Sequence, residues 1–165
     1  MDTEYLVALP VEEMSCGSVI KRTEHWPLHC TVMQWFRVNA TRADSVGRLN
    51  NELSMLASLA KGIELVSEAP DLFGATMDIP VHTLRRCDEL NYLHTTLLVY
   101  LLQTGSSLMR LRWVGAGYRP HVTTHDGRAF LPGMRHVPTQ LLLIKKDTNG
   151  TRTIINAHPL GTPTF

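Results

Sequence analysis

The sequence contains no apolar segment long enough to cross a membrane. Its longest apolar run, residues 97–102, is far shorter than the ~20 residues that a membrane-spanning helix needs. The first four residues, Met-Asp-Thr-Glu, are acidic and lack the basic start of a secretory signal. We therefore expect a protein that neither spans a membrane nor carries a secretory signal.

Cysteine is scarce as well. The three cysteines, Cys16, Cys30 and Cys87, are an odd number in a chain that is otherwise rich in core-forming residues. Small proteins stapled by disulfides usually have an even and larger set. Reduced thiols and a cytoplasmic location are therefore expected.

The chain also lacks an excess of charge of either sign. Sixteen Lys and Arg residues are balanced by fifteen Asp and Glu residues, which gives a net charge of +1. Proteins that hold long nucleic acids through their phosphates usually present a basic face. The charge balance argues against long nucleic acid as a partner and favours a small or short substrate.

Low-complexity tracts and long linkers rich in proline, glycine or serine are missing too. A chain of 165 residues is long enough to bury a core in one domain or in two closely packed lobes. We expect residues 1–165 to form a single domain.

Apolar periodicity predicts two helices. The first begins near Thr41 or Asp44, either of which could cap it, and ends before Gly62. The second covers about residues 88–103, with Gly105 after its end. The stripe that predicts the first helix comprises Val46, Leu49, Leu53, Leu56 and Ala60.

Short apolar runs bounded by proline, glycine or asparagine predict strands around these helices. Asp126-Gly127 ends one strand, and Asn149-Gly150 supplies the positive φ values of a hairpin between the last two. The predicted strands are residues 5–9, 28–36, 63–66, 73–79, 121–125, 138–145 and 152–157.

A weak internal repeat accompanies this order of elements. His29-Cys30-Thr31 and His121-Val122-Thr123 each place His-x-Thr at the start of a predicted strand, shortly after a proline. Since side chains alternate along a strand, each motif presents an imidazole and a hydroxyl on one face. The repeat predicts a pseudo-symmetric α+β protein with one motif in each half.

Two facing motifs of this kind suit phosphoryl transfer without a metal. One neutral histidine removes a proton from the attacking hydroxyl or water, and one protonated histidine supplies a proton to the leaving oxygen. The threonine hydroxyls can donate hydrogen bonds to the non-bridging phosphate oxygens. No cofactor is required for this chemistry.

The paired motifs resemble the two signatures of the 2H phosphoesterase superfamily, which includes LigT-like 2′-5′ RNA ligases and cyclic phosphodiesterases. The resemblance covers essentially the whole chain and implies a two-lobed fold with antiparallel sheets around a central groove and flanking helices. It implies His29 and His121 as the acid/base pair, with Thr31 and Thr123 binding phosphate. Thr124 departs from the family pattern, which usually has an apolar residue there.

Three further residues are candidates for substrate binding. Tyr118 precedes the second motif, and Trp35, like Trp26, lies near the first, so each could stack a nucleobase. Arg119 is a candidate phosphate contact because it is two residues from His121. Core packing is the competing interpretation for the aromatic residues.

A zinc site is the competing interpretation of the histidines, since His25 and His29, like His121 and His125, are four residues apart. In an extended strand this separation spans ~13 Å, which is too far for two ligands of one ion. We therefore expect no metal. His125 shares the face of His121 and could border the groove.

The resemblance leaves the substrate open. It implies a phosphodiester next to a ribose hydroxyl, in a 2′,3′-cyclic phosphate, a short 2′-5′ or 3′-5′ oligonucleotide, or a cyclic oligonucleotide signal of the kind that some phage-borne members degrade. The alternatives are an RNA-end binding module that keeps the fold with little turnover, and a scaffold with structural histidines. Both motifs being intact favours the enzyme.

Overall fold

A computed structural model of the protein describes residues 3–162. Helices α1 and α2 are Ser45–Leu59 and Asp88–Gln103, and single turns of 3-10 helix cover Leu111–Trp113 and Gly115–Gly117. Within the described range the strands are β1 (Glu4–Pro10), β2 (Val19–Ile20), β3 (His29–Arg37), β4 (Leu65–Phe73), β5 (Ile79–Leu84), β6 (Ser107–Leu108), β7 (His121–Thr123), β8 (Arg135–His136), β9 (Gln140–Lys146) and β10 (Arg152–Pro159).

The strands form one curled antiparallel sheet in the order β2-β10-β9-β1-β3-β7-β5-β4-β8, with β6 beside β3. The pair β3 and β7 lies at its centre, where the two halves of the chain meet. Helix α1 packs against β9 and β10, and α2 packs against β3. The expected α+β arrangement of antiparallel strands with flanking helices is confirmed, as one continuous sheet.

The two faces of the sheet bury separate cores. The larger core lies between the sheet and the two helices, and the smaller core lies on the opposite face. Strand β1 contributes to both, which is why its sequence is apolar without alternation. Its contributions are Tyr5, Val7 and Leu9 to the larger core, and Leu6 and Ala8 to the smaller one.

Helix α2 has the predicted bounds, whereas α1 begins later than Thr41. Asp44 occupies the N-cap position, but its φ of 54° is left-handed and its side chain makes no capping hydrogen bond. Gly62, with φ of 77°, follows the end of α1 as expected. No helix in the described part of the chain is long and apolar enough to span a membrane.

The predicted strand over residues 73–79 is wrong. The chain reverses there, so that Phe73 ends β4 and pairs with Ile79 at the start of β5. Gly74, with φ of 95°, and Met77, with φ of 53°, make the reversal. The segment resembles a strand in the sequence because apolar residues alternate along it at Phe73, Ala75, Met77 and Ile79.

Of the two turns predicted from the sequence, the first has the expected positive φ values at both residues and the second at only one. Asp126 and Gly127 have φ values of 52° and 74°, as a two-residue hairpin with two left-handed positions requires. In the last hairpin Gly150 has a positive φ of 85°, but Asn149 does not have one. The Asn149 side chain instead accepts a hydrogen bond from the Thr151 amide, at 2.9 Å.

The contribution of the larger core to stability can be tested where β3 pairs with β7. Val122 of β7 is fully buried in that core. Val122→Ala removes two methyl groups from a packed site and should lower the free energy of unfolding by about 2 kcal/mol. Val19→Ala, on an exposed strand position, is the control and should stay within ~0.5 kcal/mol of wild type. Equal effects of the two changes in urea unfolding would contradict a tightly packed junction.

Candidate active site

The pairing of β3 with β7 brings the two motifs together. Cys30 lies opposite Val122 in this antiparallel pair. The same register places His29 opposite Thr123 and Thr31 opposite His121, all on the face away from the larger core. Diagonal neighbours in such a pair are ~7–8 Å apart, so the two imidazoles flank a space of phosphate size.

Cys30 and Val122, on the other face, anchor this arrangement because neither is exposed to solvent. Burial raises the pKa of the Cys30 thiol to about 12. Cys30 therefore serves as an apolar anchor rather than as a nucleophile. All three cysteines are free thiols, in agreement with the expected absence of disulfides.

Each motif histidine is held by the carbonyl group two residues before it. Nδ1 of His29 lies 2.8 Å from the Pro27 oxygen, and Nδ1 of His121 lies 2.8 Å from the Arg119 oxygen. A carbonyl can only accept, so Nδ1 of both rings carries the hydrogen. In residues 3–162 neither Nε2 has a hydrogen-bond partner, which leaves both free to exchange protons with a ligand.

The two histidines lie in a groove with a volume of about 330 Å³. The hydroxyls of Thr31 and Thr123 face the same space and make no hydrogen bond within the described chain. Besides the four motif residues, the groove is lined by Leu6, Trp26, Gln34, Trp35, Phe73, Gly74, Ile79, Val81, Arg110, Trp113 and His125.

Aromatic side chains stand on both sides of the histidines. Trp26 contacts the His29 ring at 4.8 Å and Trp35 at 6.2 Å between ring centroids. Phe73 contacts the His121 ring at 4.5 Å and stacks on Trp113 at 5.1 Å. The groove thus offers a surface for a flat, apolar group on either side of the phosphate-sized space.

Trp35 lines the groove, but not through simple alternation along β3. Strict alternation from Thr31 would also turn Met33 into the groove, yet Met33 is fully buried in the larger core. Irregularities in the pairing of β3 with β1 shift the register, so that Gln34 and Trp35 both reach the groove.

Arg110 lines the groove, whereas Arg119, the phosphate contact predicted from the sequence, does not. Arg119 forms an ion pair with Asp71 at 2.8 Å and lies over the Phe73 ring. It is not one of the described groove-lining residues. Arg110 does line the groove and has no ion-pair partner in the described part of the chain. Arg110 therefore offers the groove a positive charge that no carboxylate of the described residues pairs with.

Tyr118 also differs from the expectation that it stacks a base. Its ring stacks on His94 at 3.8 Å, and its hydroxyl donates to the Thr31 carbonyl at 2.8 Å. His94 in turn contacts the Val32 carbonyl and accepts from the Gly115 amide. Tyr118 positions the strand of the first motif rather than contacting the groove.

Desolvation keeps the groove histidines neutral. Burial lowers the pKa of His29 to about 4. The hydrogen bond to the Pro27 carbonyl raises this pKa in part, whereas the charges of His125 and His121 lower it further. Burial also lowers the pKa of His121. His125 stacks near His29, at 6.3 Å, and burial likewise lowers its pKa, with Arg128 adding to the effect.

A polar network fixes the segment before the first motif. One carboxylate oxygen of Glu12 accepts from the Leu28 amide and from Arg128, and Arg128 also donates to the Trp26 carbonyl. Burial raises the pKa of Glu12, but these hydrogen bonds outweigh burial and hold that pKa below its ordinary value. The network ties the turn after the second motif to the chain that precedes His29.

The histidine pairs that suggested zinc have different surroundings from those of an extended strand. Residues 25–28 are irregular rather than extended, and His25 lies beside Asp126, at 3.6 Å. Within residues 3–162 there is no group of three or more His, Cys, Asp or Glu side chains that could hold a metal ion.

Phe73, Trp113, Arg110 and Gln34 line the groove but were not identified from the sequence. The glycine turn at Gly74 is the one signal that pointed to Phe73, because it marks a hairpin whose ends must face each other. Trp113 and Arg110 lie in an irregular segment in which no apolar period exists.

Comparisons with known proteins show what this architecture resembles. A crystal structure described as a phosphoesterase has a TM-score of 0.59 and 16% sequence identity, covering 98% of this chain and 99% of that one. The crystal structure of E. coli LigT complexed with NADP+ has a TM-score of 0.56 and 16% identity, covering 97% and 98%. Neither protein-family models nor curated protein sequences give a match. The LigT-like fold is therefore shared at very low sequence identity.

The hydrogen bond from Tyr118 to the Thr31 carbonyl can be tested directly. Tyr118→Phe keeps the stacked ring but removes the donor, and should lower the free energy of unfolding by about 1 kcal/mol. Tyr92→Phe, at an exposed position on α2, is the matched control and should have no measurable effect. A Tyr118→Phe protein as stable as wild type in urea unfolding would mean that the bond does not hold the first motif in place.

Proposed function

We propose that this protein is a metal-independent phosphodiesterase of the 2H class. The observation that carries the proposal is the repeated arrangement of the two imidazoles, each with Nδ1 bound to a backbone carbonyl and with Nε2 open to one groove. Two such groups on opposite sides of one phosphate-sized space can transfer protons at both ends of an in-line displacement. The shared fold with a phosphoesterase and with LigT supports the same chemistry.

Burial lowers the pKa of His29 to about 4, and burial also lowers the pKa of His121. We propose His29, with its strongly lowered pKa, as the base and His121 as the acid. His29 Nε2 then accepts the proton of the attacking water or ribose hydroxyl, and His121 Nε2–H donates its proton to the leaving oxygen.

The remaining polar groups act on the phosphate. The hydroxyls of Thr31 and Thr123 can donate to the non-bridging oxygens as negative charge develops, and Arg110 can balance that charge. Donors fixed on strands need little reorganisation during the reaction. The aromatic side chains on either side would hold the flanking nucleosides by stacking.

The substrate we propose is a phosphodiester next to a ribose hydroxyl. A 2′,3′-cyclic phosphate, a short 2′-5′ or 3′-5′ oligonucleotide and a cyclic oligonucleotide signal all have this chemistry, and the last would make the protein an anti-defence enzyme of the phage type. The near-neutral net charge suits such compact molecules better than long nucleic acid. Action on them would fit a cytoplasmic enzyme. An RNA-end binding module would bind the same ligands without turnover.

The roles of His29 and His121 predict large and separate losses of activity. His29→Ala and His121→Ala should each lower kcat by about 10²–10⁴-fold on a 2′,3′-cyclic nucleotide or a cyclic dinucleotide. His136→Ala, outside the groove, is the control and should keep full activity. A loss of less than about tenfold for either motif histidine, in a protein with a normal circular dichroism spectrum, would remove it from the mechanism.

The lowered pKa values predict an acid-shifted activity profile. The competent form has His121 protonated and His29 neutral, so it is most populated between the two pKa values, both of which lie below the ordinary value of 6.5. The curve of kcat/KM against pH should be a bell with its maximum below 6.5. Bound phosphate favours the charged imidazole, which should move the curve of kcat to higher pH. A kcat/KM that rises to an alkaline plateau would contradict the acid role of His121.

A further inference from the structure

A second cavity adjoins the groove on the far side of its tryptophan wall. Its volume is about 470 Å³, and it shares Trp26 and Trp35 with the groove that contains His29. A group stacked on these tryptophans would therefore contact both spaces. We call this second cavity the outer pocket; its other lining residues are Arg22, Lys146, Asp147, Thr148, Asn149, Gly150 and Arg152.

Arg152 is an unusual residue to find in this wall. Arg152 is only 8% exposed, and its guanidinium lies over the Trp26 ring at 4.3 Å. It donates to the carbonyl groups of Lys21 and Glu24, at 2.9 and 3.1 Å, whereas its Nε is buried without a partner. Its hydrogen-bond partners are carbonyl groups, and the nearby charge of the Glu24 carboxylate compensates its own charge without a direct ion pair.

Arg22 adds a second positive charge at the rim. Its guanidinium is exposed, and no carboxylate in residues 3–162 lies within ion-pair distance of it. A Cβ atom at Gly150 would approach the Arg22 Cδ to 3.0 Å, so the absence of a side chain at Gly150 allows the hairpin to pack against the arginine stem. The hairpin thereby holds Arg22 at the edge of the pocket.

The other charged residues of the outer pocket each form an ion pair with a residue outside it. Lys146 forms an ion pair with Glu4 and lies over the Trp35 ring at 4.3 Å. Asp147 is paired with Lys145 at 3.4 Å. The pocket therefore keeps a positive character from its two arginines, next to two tryptophan rings that are tilted by 53° to each other. A cation pair beside aromatic rings is suited to an anionic group that is joined to a ring.

We propose that the outer pocket binds a second phosphate of the substrate. The first phosphate would lie between His29 and His121, one nucleoside would stack on Trp26 and Trp35, and the next phosphate would reach Arg22 and Arg152. This inference rests on the proposed function for the position of the first phosphate. It makes the substrate a linear or cyclic oligonucleotide of at least two nucleotides and excludes a mononucleotide as the preferred ligand.

The test compares two ligands that differ by one nucleotide. Binding of 5′-phosphorylated diuridine and of uridine 5′-monophosphate is measured by calorimetry in the His121→Ala background, which prevents turnover. The two-phosphate ligand should bind at least tenfold more tightly, since a charge-assisted contact to phosphate is worth about that factor or more. Arg22→Ala should reduce this ratio about tenfold, Arg22→Lys should restore part of it, and Arg42→Ala, an exposed arginine elsewhere, should leave it unchanged.

Each outcome decides the proposal. Equal affinity for the two ligands, or a ratio that Arg22→Ala does not change, would overturn the outer pocket as a phosphate site. Turnover by the wild-type protein is measured separately, on uridine 2′,3′-cyclic phosphate and on diuridine ending in the same cyclic phosphate. Ligand selectivity that depends on Arg22 without any turnover would reject the phosphodiesterase while keeping the binding site. Turnover by the wild-type protein, together with ligand selectivity that does not depend on Arg22, would keep the phosphodiesterase and reject the outer pocket as a phosphate site.

Discussion

The candidate site depends on one short stretch of antiparallel pairing. Cys30 and Val122 lie opposite each other with both side chains fully buried, and this register turns the histidine and threonine of each motif to the open face. A slip of one residue in either strand would exchange the two faces and bury the imidazoles. The apolar residue inside each His-x-Thr is therefore as necessary to the geometry as the polar residues around it. The departure at Thr124 lies beyond this pair and does not disturb it.

The same burial that fixes the histidines also sets their chemistry. Desolvation lowers the pKa of His29 to about 4 and that of His121 below its ordinary value, although a backbone carbonyl on each Nδ1 opposes the shift. Without a ligand near neutral pH, both rings are then neutral and the groove has no acid. In the proposed enzyme, a phosphate bound between them would supply the negative charge that favours protonation. Substrate binding and activation of the acid would then be coupled through the electrostatics of one small space.

The sequence was sufficient for the parts of the structure that repeat or have a period. The two motifs, the bounds of α2 and the turn at Asp126 each have a local signal that specifies them. The groove wall beside His121 has little such signal: Phe73 reaches the groove through a hairpin marked by one glycine, and Trp113 through an irregular segment. Tyr118 and Arg119 show the related limit, since a residue next to a motif can point away from it, toward partners distant in sequence.

The centre of the groove is nearly symmetric, whereas its two sides are not. His29 and His121 have the same hydrogen bond to the same backbone position, as expected if the motifs share one geometry. On the side of His29 the wall consists of tryptophans beside arginines; on the side of His121, Phe73 and Trp113 lie beside an arginine that Asp71 neutralises. In the proposed phosphodiesterase, the hydrogen bonds of the two imidazoles do not distinguish the two ends of a phosphodiester. The difference in their burial and in the two walls would then determine which end of the substrate leaves.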